Sequence, residues 1–178
     1  EFPWVSIASD ASPREQLRYY REYRVLLRRE LGDITGISET TILNYELGYM
    51  PIAYDKAKRL AKALEIDEKL LFDDYCRFLD YPFQLRCKEL RLELGLTQFE
   101  IADKAGIARG TYGTWECAAV RPGREPFQKF AAFITSQGKE VVLPFAVFQL
   151  AFSVFPRNGR LKSQSKQLGA FLRRTAPF

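Results

Sequence analysis

No histidine occurs among the 178 residues. The chain therefore has no His general base, no Ser-His or Cys-His pair and no His metal ligand. Cys76, Cys87 and Cys117 stand too far apart for a CxxC zinc or redox motif. No carboxylate pair sits in a cleft-like context, so neither enzyme activity nor a cofactor or metal is expected. What remains is recognition chemistry, carried by guanidinium, amide and hydroxyl groups. Tyr19, Tyr20 and Tyr23 interleave with Arg18, Arg21 and Arg24, a pattern that suits stacking on nucleic acid. On a helix the same spacing suits a core stripe with charged flanks, which is the preferred reading.

Charge has to be read by region. The net charge is +5 and the pI about 9.1. Residues 1–80 hold 12 basic against 15 acidic side chains, 81–138 hold 8 against 6, and 139–178 hold 7 against 1. The basic excess thus lies in the last forty residues. Bulk charge does not support a nucleic-acid function in the body, and a motif must carry it.

The elements that would position recognition groups are helices. Ser12-Pro13-Arg14-Glu15 combines a capping Ser, a Pro suited to the first turn and a Glu able to close a capping box. From there to about 80 the pattern is helical, with Leu60, Ala63 and Leu64 at i, i+3, i+4. Asp67 suits the cap of a short helix carrying Leu70, Leu71 and Phe72. Tyr81-Pro82 is a break. A second helical set begins at Phe83 to Leu94, Gly95 ends it, and Thr97-Gln98-Phe99-Glu100 is another capping box. Arg121-Pro122-Gly123 reads as a turn and 126–135 as a further helix. Nothing before 138 reads as a sheet.

Sliding the sequence by 70 positions lays residues 28–48 over 98–118. Glu30/Glu100, Asp33/Asp103, Gly36/Gly106, Ile37/Ile107, Thr41/Thr111 and Glu46/Glu116 are identical pairs, and Tyr45/Trp115 are alike in role. Duplication is the preferred account. In the second copy Ile101, Ala102 and Ala105 share one helical face. Gly106 takes a sharp turn that needs φ > 0, and Ile107 plugs the corner. A second helix, Arg109 to Cys117, buries Tyr112 and Trp115. Ala102 is small because that helix crosses close above it. Two helices at a steep angle joined by a short Gly-containing turn form a helix-turn-helix, whose second helix is free to enter a DNA major groove. Glu46 and Glu116 follow the buried aromatic and are expected to be structural, paired with an arginine such as Arg21 or Arg91.

Thr97-Gln98, Ile101-Ala102, Gly106-Ile107, Trp115-Glu116 and Pro122 resemble the motif of the Xre-type, lambda-repressor-like regulators. The first copy is similar through Gly36-Ile37-Ser38, Tyr45-Glu46-Leu47-Gly48 and Pro51 as the loop proline. Residues 57–72 resemble that family's closing helices. The resemblance covers roughly 13–72 and 83–134, in tandem. The chain departs from the family at Ala118, where Gly is usual, and at Ala108, where Ser is usual. Leu27-Arg28 replaces Thr-Gln, and Gly32 replaces Ala at an expected helix cost of about 1 kcal/mol.

The resemblance implies an all-α chain of two tandem helix-turn-helix bundles and double-stranded DNA as partner. It implies an outer face at Arg109, Gly110, Gly113, Thr114 and Cys117, with Thr111 and Gln98 beside it. Arg109 would meet guanine O6/N7 or a phosphate, Thr114 a thymine methyl or base edge, and Gln98 a phosphate, or it would orient Arg109. The first copy would offer Ser38, Glu39, Thr40, Leu43, Asn44 and Leu47, with Arg28 and Arg29 on the preceding helix. Asn44 suits adenine, Thr40 a phosphate, and Glu39 cytosine at the expense of phosphate repulsion. Leu43 and Leu47 also suit a protein-contact face. The alternative is accordingly an antitoxin-like or regulatory interaction module that does not read DNA. Two different units in one chain would favour a non-palindromic site without dimerisation, with second helices presented about 34 Å apart.

The expected domains are an extension at 1–11, helix-turn-helix domains at 12–80 and 81–138, and an apolar then basic tail at 139–178. Residues 141–155 are nearly all apolar, contain Pro144 and are short for a membrane span. They read first as a buried or interface segment, one that would serve a homodimer or protein partner. A lipid-surface anchor and non-native read-through are the less favoured readings. Arg157, Arg160, Lys162 and Lys166 follow, as a solvated tail or unspecific phosphate contacts. The odd cysteine count with no secretory segment before it points to a reducing cytoplasm. Met50 is the single methionine, so Glu1 is not expected to be an initiation residue.

Overall fold

Ser12 starts the first helix as its type predicts. Its backbone N–H and hydroxyl both donate to the Glu15 carboxylate, at 2.8 and 2.5 Å, and Pro13 occupies the first turn of α1 (Pro13–Tyr23). The computed structural model describes residues 11–142. These are all-helical and divide into two compact units between Tyr81 and Pro82. Residues 1–10 and 143–178 lie outside the described residues, and with them nearly all of the expected extension and most of the apolar and basic tail.

In the first unit α1 is followed by α2 (Arg28–Thr35), α3 (Glu39–Leu47) and α4 (Tyr54–Leu64). A 3₁₀ turn (Glu68–Leu71) and α5 (Asp74–Asp80) complete it. Leu27 has no side-chain acceptor, so α2 has half a capping box, the Leu27 N–H donating to Glu30 at 2.7 Å. Ser38 caps α3 by accepting from the Thr41 N–H at 3.2 Å. Asp67 caps the 3₁₀ turn through the Lys69 N–H. Leu17, Leu31, Ile42, Leu60, Leu64 and Leu71 are fully buried together, each side chain contributing about 1.5–3 kcal/mol of transfer free energy.

Gly36 turns α2 into α3 at φ +65°. Gly32 carries a different constraint from the one expected. A Cβ placed on it would lie 2.7 Å from the Ile37 carbonyl oxygen, which belongs to the turn itself. The missing methyl is a steric requirement of this tight corner, so the expected helix cost is overridden. Gly32→Ala is therefore predicted to destabilise the first unit by roughly 1–2 kcal/mol, the overpacking exceeding the helix gain. Urea denaturation monitored at this unit checks the sign.

The tyrosine stripe is a core stripe only in part, since Tyr20 packs against the core and Tyr23 does not lie in it. Gln16, Leu17 and Arg21 are the buried positions of α1, Tyr19 and Tyr20 are half-buried, and Tyr23 is 50% exposed. Tyr19 meets Tyr20 edge-on at 5.2 Å and stacks with Tyr23 at 6.2 Å. The rings form a ladder from the core edge at Tyr20 through Tyr19 to the exposed Tyr23, because an inward position of the helix goes to Arg21.

The second unit repeats the order. Its helices are α6 (Phe83–Glu93), α7 (Gln98–Lys104), α8 (Arg109–Glu116) and α9 (Arg124–Ser136). They begin at 83, 98, 109 and 124, where α1 to α4 begin at 13, 28, 39 and 54. The offset of 70 therefore holds at every start, and Gly106 repeats the φ of Gly36 at +65°. The fourth helix starts two residues before the expected 126 because Glu125 and Pro126 both suit a first turn. The loop proline is likewise shifted. Pro122 is buried, but its first-unit counterpart is the buried Ile52, while Pro51 is exposed.

Tyr112, Trp115 and Phe130 pack with centroids 5.9–6.0 Å apart. The buried Tyr112 hydroxyl donates to the Cys87 carbonyl at 2.9 Å, and burial pushes the Cys87 thiol up in pKa, so it stays protonated. After α9 the chain returns to α6. Arg86 donates to the carbonyls of Glu140 and Val141, the latter at 3.1 Å. Val141 itself is buried, so the apolar stretch starts inside this unit. No helix among the described residues is long and apolar enough to cross a membrane.

Ala108 and Ala118 each leave a local deficit in this unit. Ala108 gives α8 no side-chain cap, and Ala118 sits at φ +56°, where the first unit has Gly48 at +76°. Ala108→Ser and Ala118→Gly are each predicted to stabilise the second unit by about 1 kcal/mol. Thermal melts of the single and double variants should show near-additive gains.

Candidate nucleic-acid interface

A helix that is to be read by another macromolecule must be fixed in angle from behind. In the first unit this falls to Glu46, in the last turn of α3, whose side chain is 1% exposed. The Arg21 guanidinium on α1 is 8% exposed and grips it from two atoms, Nε to Oε1 at 2.5 Å and Nη2 to Oε2 at 3.2 Å. Arg21 Nη1 also donates to the Leu26 carbonyl at 2.9 Å. Arg28, the first residue of α2, donates through Nε to Glu46 Oε2 at 2.7 Å. One carboxylate thus joins three helices, with a fork geometry only arginine supplies.

The second unit builds the same joint. Arg91 Nε and Nη2 donate to Glu116 at 2.6 and 3.1 Å, and Nη1 to the Leu96 carbonyl at 3.2 Å. In place of Arg28 stands Gln98, whose Nε2 donates to Glu116 Oε2 at 2.7 Å. The expected structural role of both glutamates, paired with Arg21 and Arg91, is what is found. Of the two roles expected of Gln98, a phosphate contact or the orienting of Arg109, the second differs from the structure, where its amide is turned to Glu116.

Burial alone would raise the Glu116 pKa, but the hydrogen bonds from Arg91 and Gln98 outweigh it and hold the carboxyl below its ordinary value. A carboxyl whose pKa is lowered on folding adds stability that is complete above its unfolded pKa of about 4.3 and is lost as pH falls through the folded value. Glu116→Gln is therefore predicted to flatten the acid limb of the second unit's stability curve. Denaturant titrations between pH 7 and 3 would show it as a smaller drop than in the unsubstituted chain.

The outward surfaces of α3 and α8 are the parts these joints aim. On α3, Ile42, Tyr45 and Glu46 are buried, Thr41, Leu43 and Asn44 are half-buried, and Glu39, Thr40 and Leu47 are exposed. No side-chain hydrogen bond among the described residues engages Thr40 or Asn44. Ser38 is exposed but occupied, capping the helix and sharing a 2.7 Å hydrogen bond with the Thr41 hydroxyl. Arg28 is 34% exposed with Nε committed to Glu46.

On α8, Tyr112 and Trp115 are buried, Thr111, Gly113 and Thr114 are half-buried, and Arg109, Gly110 and Cys117 are exposed. A Cβ on Gly110 would meet nothing within 4 Å, so this helix offers bare backbone outward. The Thr114 hydroxyl donates to the Thr111 carbonyl at 2.7 Å, leaving its oxygen as an acceptor and its methyl free. The Arg109 guanidinium carbon lies 3.2 Å over the centre of the Phe99 ring, a contact the sequence reasoning missed. Its signal was an apolar residue on the outer side of α7, where amphipathic spacing wants a polar one.

Helix α3 packs against both α1 and α2, and α8 against both α6 and α7. With the Gly turn and the buried joint behind it, the first unit has the architecture of a helix-turn-helix. The Helix-turn-helix family model matches residues 17–71, within the first unit. That family is one of DNA-binding regulators of the Xre, lambda-repressor-like kind. No curated protein and no solved structure matches the chain.

Proposed function

We propose that the chain is a sequence-specific double-stranded DNA-binding transcriptional regulator that uses α3 and α8 as major-groove readers and has no catalytic role. The observation that carries this reading is the pair of Glu-centred joints, which fix two outward helices on which no hydrogen bond or ion pair among the described residues engages the side chains of Thr40, Asn44 or Arg109. The family match over 17–71 supports it for the first unit. The shared offset of 70 and the Arg91–Glu116–Gln98 joint support extending it to the second. Asn44 and Arg109 are the proposed base readers, for adenine and guanine. Thr40, Arg28, Ser38 and Gln98 lie toward the backbone, and Gly110, Thr111, Gly113 and Thr114 form the close-approach surface. Apart from Thr41 and Thr111 the two faces differ at each outward position, so the preferred site is non-palindromic.

A second reading is favoured by one feature. The α3 face carries Leu43 and Leu47 and the acid Glu39, a composition that also suits a protein partner. Amide shift mapping of the labelled chain with duplex DNA separates the two. Perturbations should fall on 39–47 and 109–117. Perturbation confined to 157–174 would reject groove reading by these helices.

A further inference from the structure

We infer that Phe99 is a positioning residue for Arg109, holding its guanidinium for hydrogen bonding to a guanine edge; this rests on the DNA reading proposed above. Phe99 is the second residue of α7 and Arg109 the first of α8, so the pair bridges the two helices of the motif on its outer side. Phe99 is 45% exposed, and an aromatic ring placed there adds little to a core. Its ring lies under the Arg109 guanidinium at 3.2 Å. No hydrogen bond or ion pair among the described residues engages the Arg109 N–H groups. The ring thus restrains the long side chain through its face and leaves all five donors available.

Guanine presents two acceptors, O6 and N7, to which an arginine donates in bidentate fashion. Such recognition is sensitive to side-chain order, because a free arginine loses most of its rotamer freedom on binding. A phosphate would accept from Arg109 too, but with no dependence on base sequence. The first unit lacks the device. The residues 70 positions earlier are Arg29 and Glu39, so the cation stands on the first helix of the motif and a carboxylate begins the second. Guanine preference from a stacked arginine is accordingly a property of the second unit alone.

The test uses the whole chain, a duplex enriched from a random pool, and that duplex substituted at each base pair in turn. Phe99→Ala should weaken binding about two- to fivefold, with the loss concentrated at one G·C pair. Phe99→Tyr, which keeps the ring face, should restore both affinity and preference. In an Arg109→Ala background, Phe99→Ala should have no further effect. In the free chain, the Arg109 Nε–Hε resonance should carry a ring-current shift that Phe99→Ala removes and Phe99→Tyr retains. Equal loss on all sequences, or an undiminished loss in the Arg109→Ala background, would overturn the role of Phe99 while leaving DNA binding intact. If the unsubstituted chain enriches no duplex, the DNA reading fails and the proposal with it.

Discussion

Replacing Glu46 by Gln is expected to destabilise the first unit by about 3–5 kcal/mol, the loss typical of removing one partner from a buried ion pair. The Glu46 side chain is 1% exposed, and both Arg21 and Arg28 donate to it. Without the carboxylate, two guanidiniums face one another, and Arg21 is too buried for water to take over. The neutral amide keeps the shape, so the loss reports charge and hydrogen bonding more than a cavity. At about 4–8 °C per kcal/mol for a domain of this size, the first unit's melting point should fall by more than about 12 °C. Glu116→Gln should cost the second unit less, because one guanidinium and one neutral amide donate there. Hydrogen exchange at the amides of Leu31 and Ile42 for the first unit, and of Ile101 and Tyr112 for the second, would read the two losses separately. Equal losses in the two units would contradict the assignment of Arg28 to the joint.

The second large effect is on binding. Asn44→Ala and Arg109→Ala are each expected to cost about 1–3 kcal/mol of affinity for an enriched duplex, at different base pairs. They lie in separate units, so their losses should add, making the double variant about 30- to 10⁴-fold weaker. Both side chains are on outward surfaces, so stability should be unchanged within about 0.5 kcal/mol. Fluorescence anisotropy with the enriched duplex and its single-base variants would measure both. Loss that is uniform across all variants would make these residues phosphate contacts.

The helices were legible in the sequence where local chemistry sets them. Ser12-Pro13-Glu15 and Thr97-Glu100 were read correctly because a cap is decided within four residues. The repeat was legible over 28–48 and 98–118 because the turn and the glutamate restrict residue type there. It was not legible across α1 and α6 or α4 and α9. Their packed positions accept any apolar side chain of suitable volume, so Leu17 answers to Cys87 and Leu60 to Phe130. Outside that window the offset keeps few identities, among them Arg21/Arg91, Leu26/Leu96 and Ala61/Ala131.

What escaped the sequence was mostly a matter of distances between elements. The value of Gly32 depends on how close Ile37 comes, and helix propensity points the other way. Gln98 was expected at a phosphate or orienting Arg109, and its amide donates instead to the Glu116 carboxylate, a strong acceptor within its reach. Phe99 stands in the sequence only as part of the Thr97–Glu100 capping box, and its contact with Arg109 spans two helices. The uneven charge was legible by counting, and it places the burden of proof on the two helices.

The most direct test of the central claim is enrichment of duplexes from a random pool, run with the whole chain and with a chain lacking residues 139–178. The account predicts one non-palindromic sequence class in both experiments. Affinity in the shortened chain should fall with salt at a slope of about −0.9 per phosphate contacted. No enriched sequence from the shortened chain, or binding that vanishes entirely with the basic tail, would contradict it.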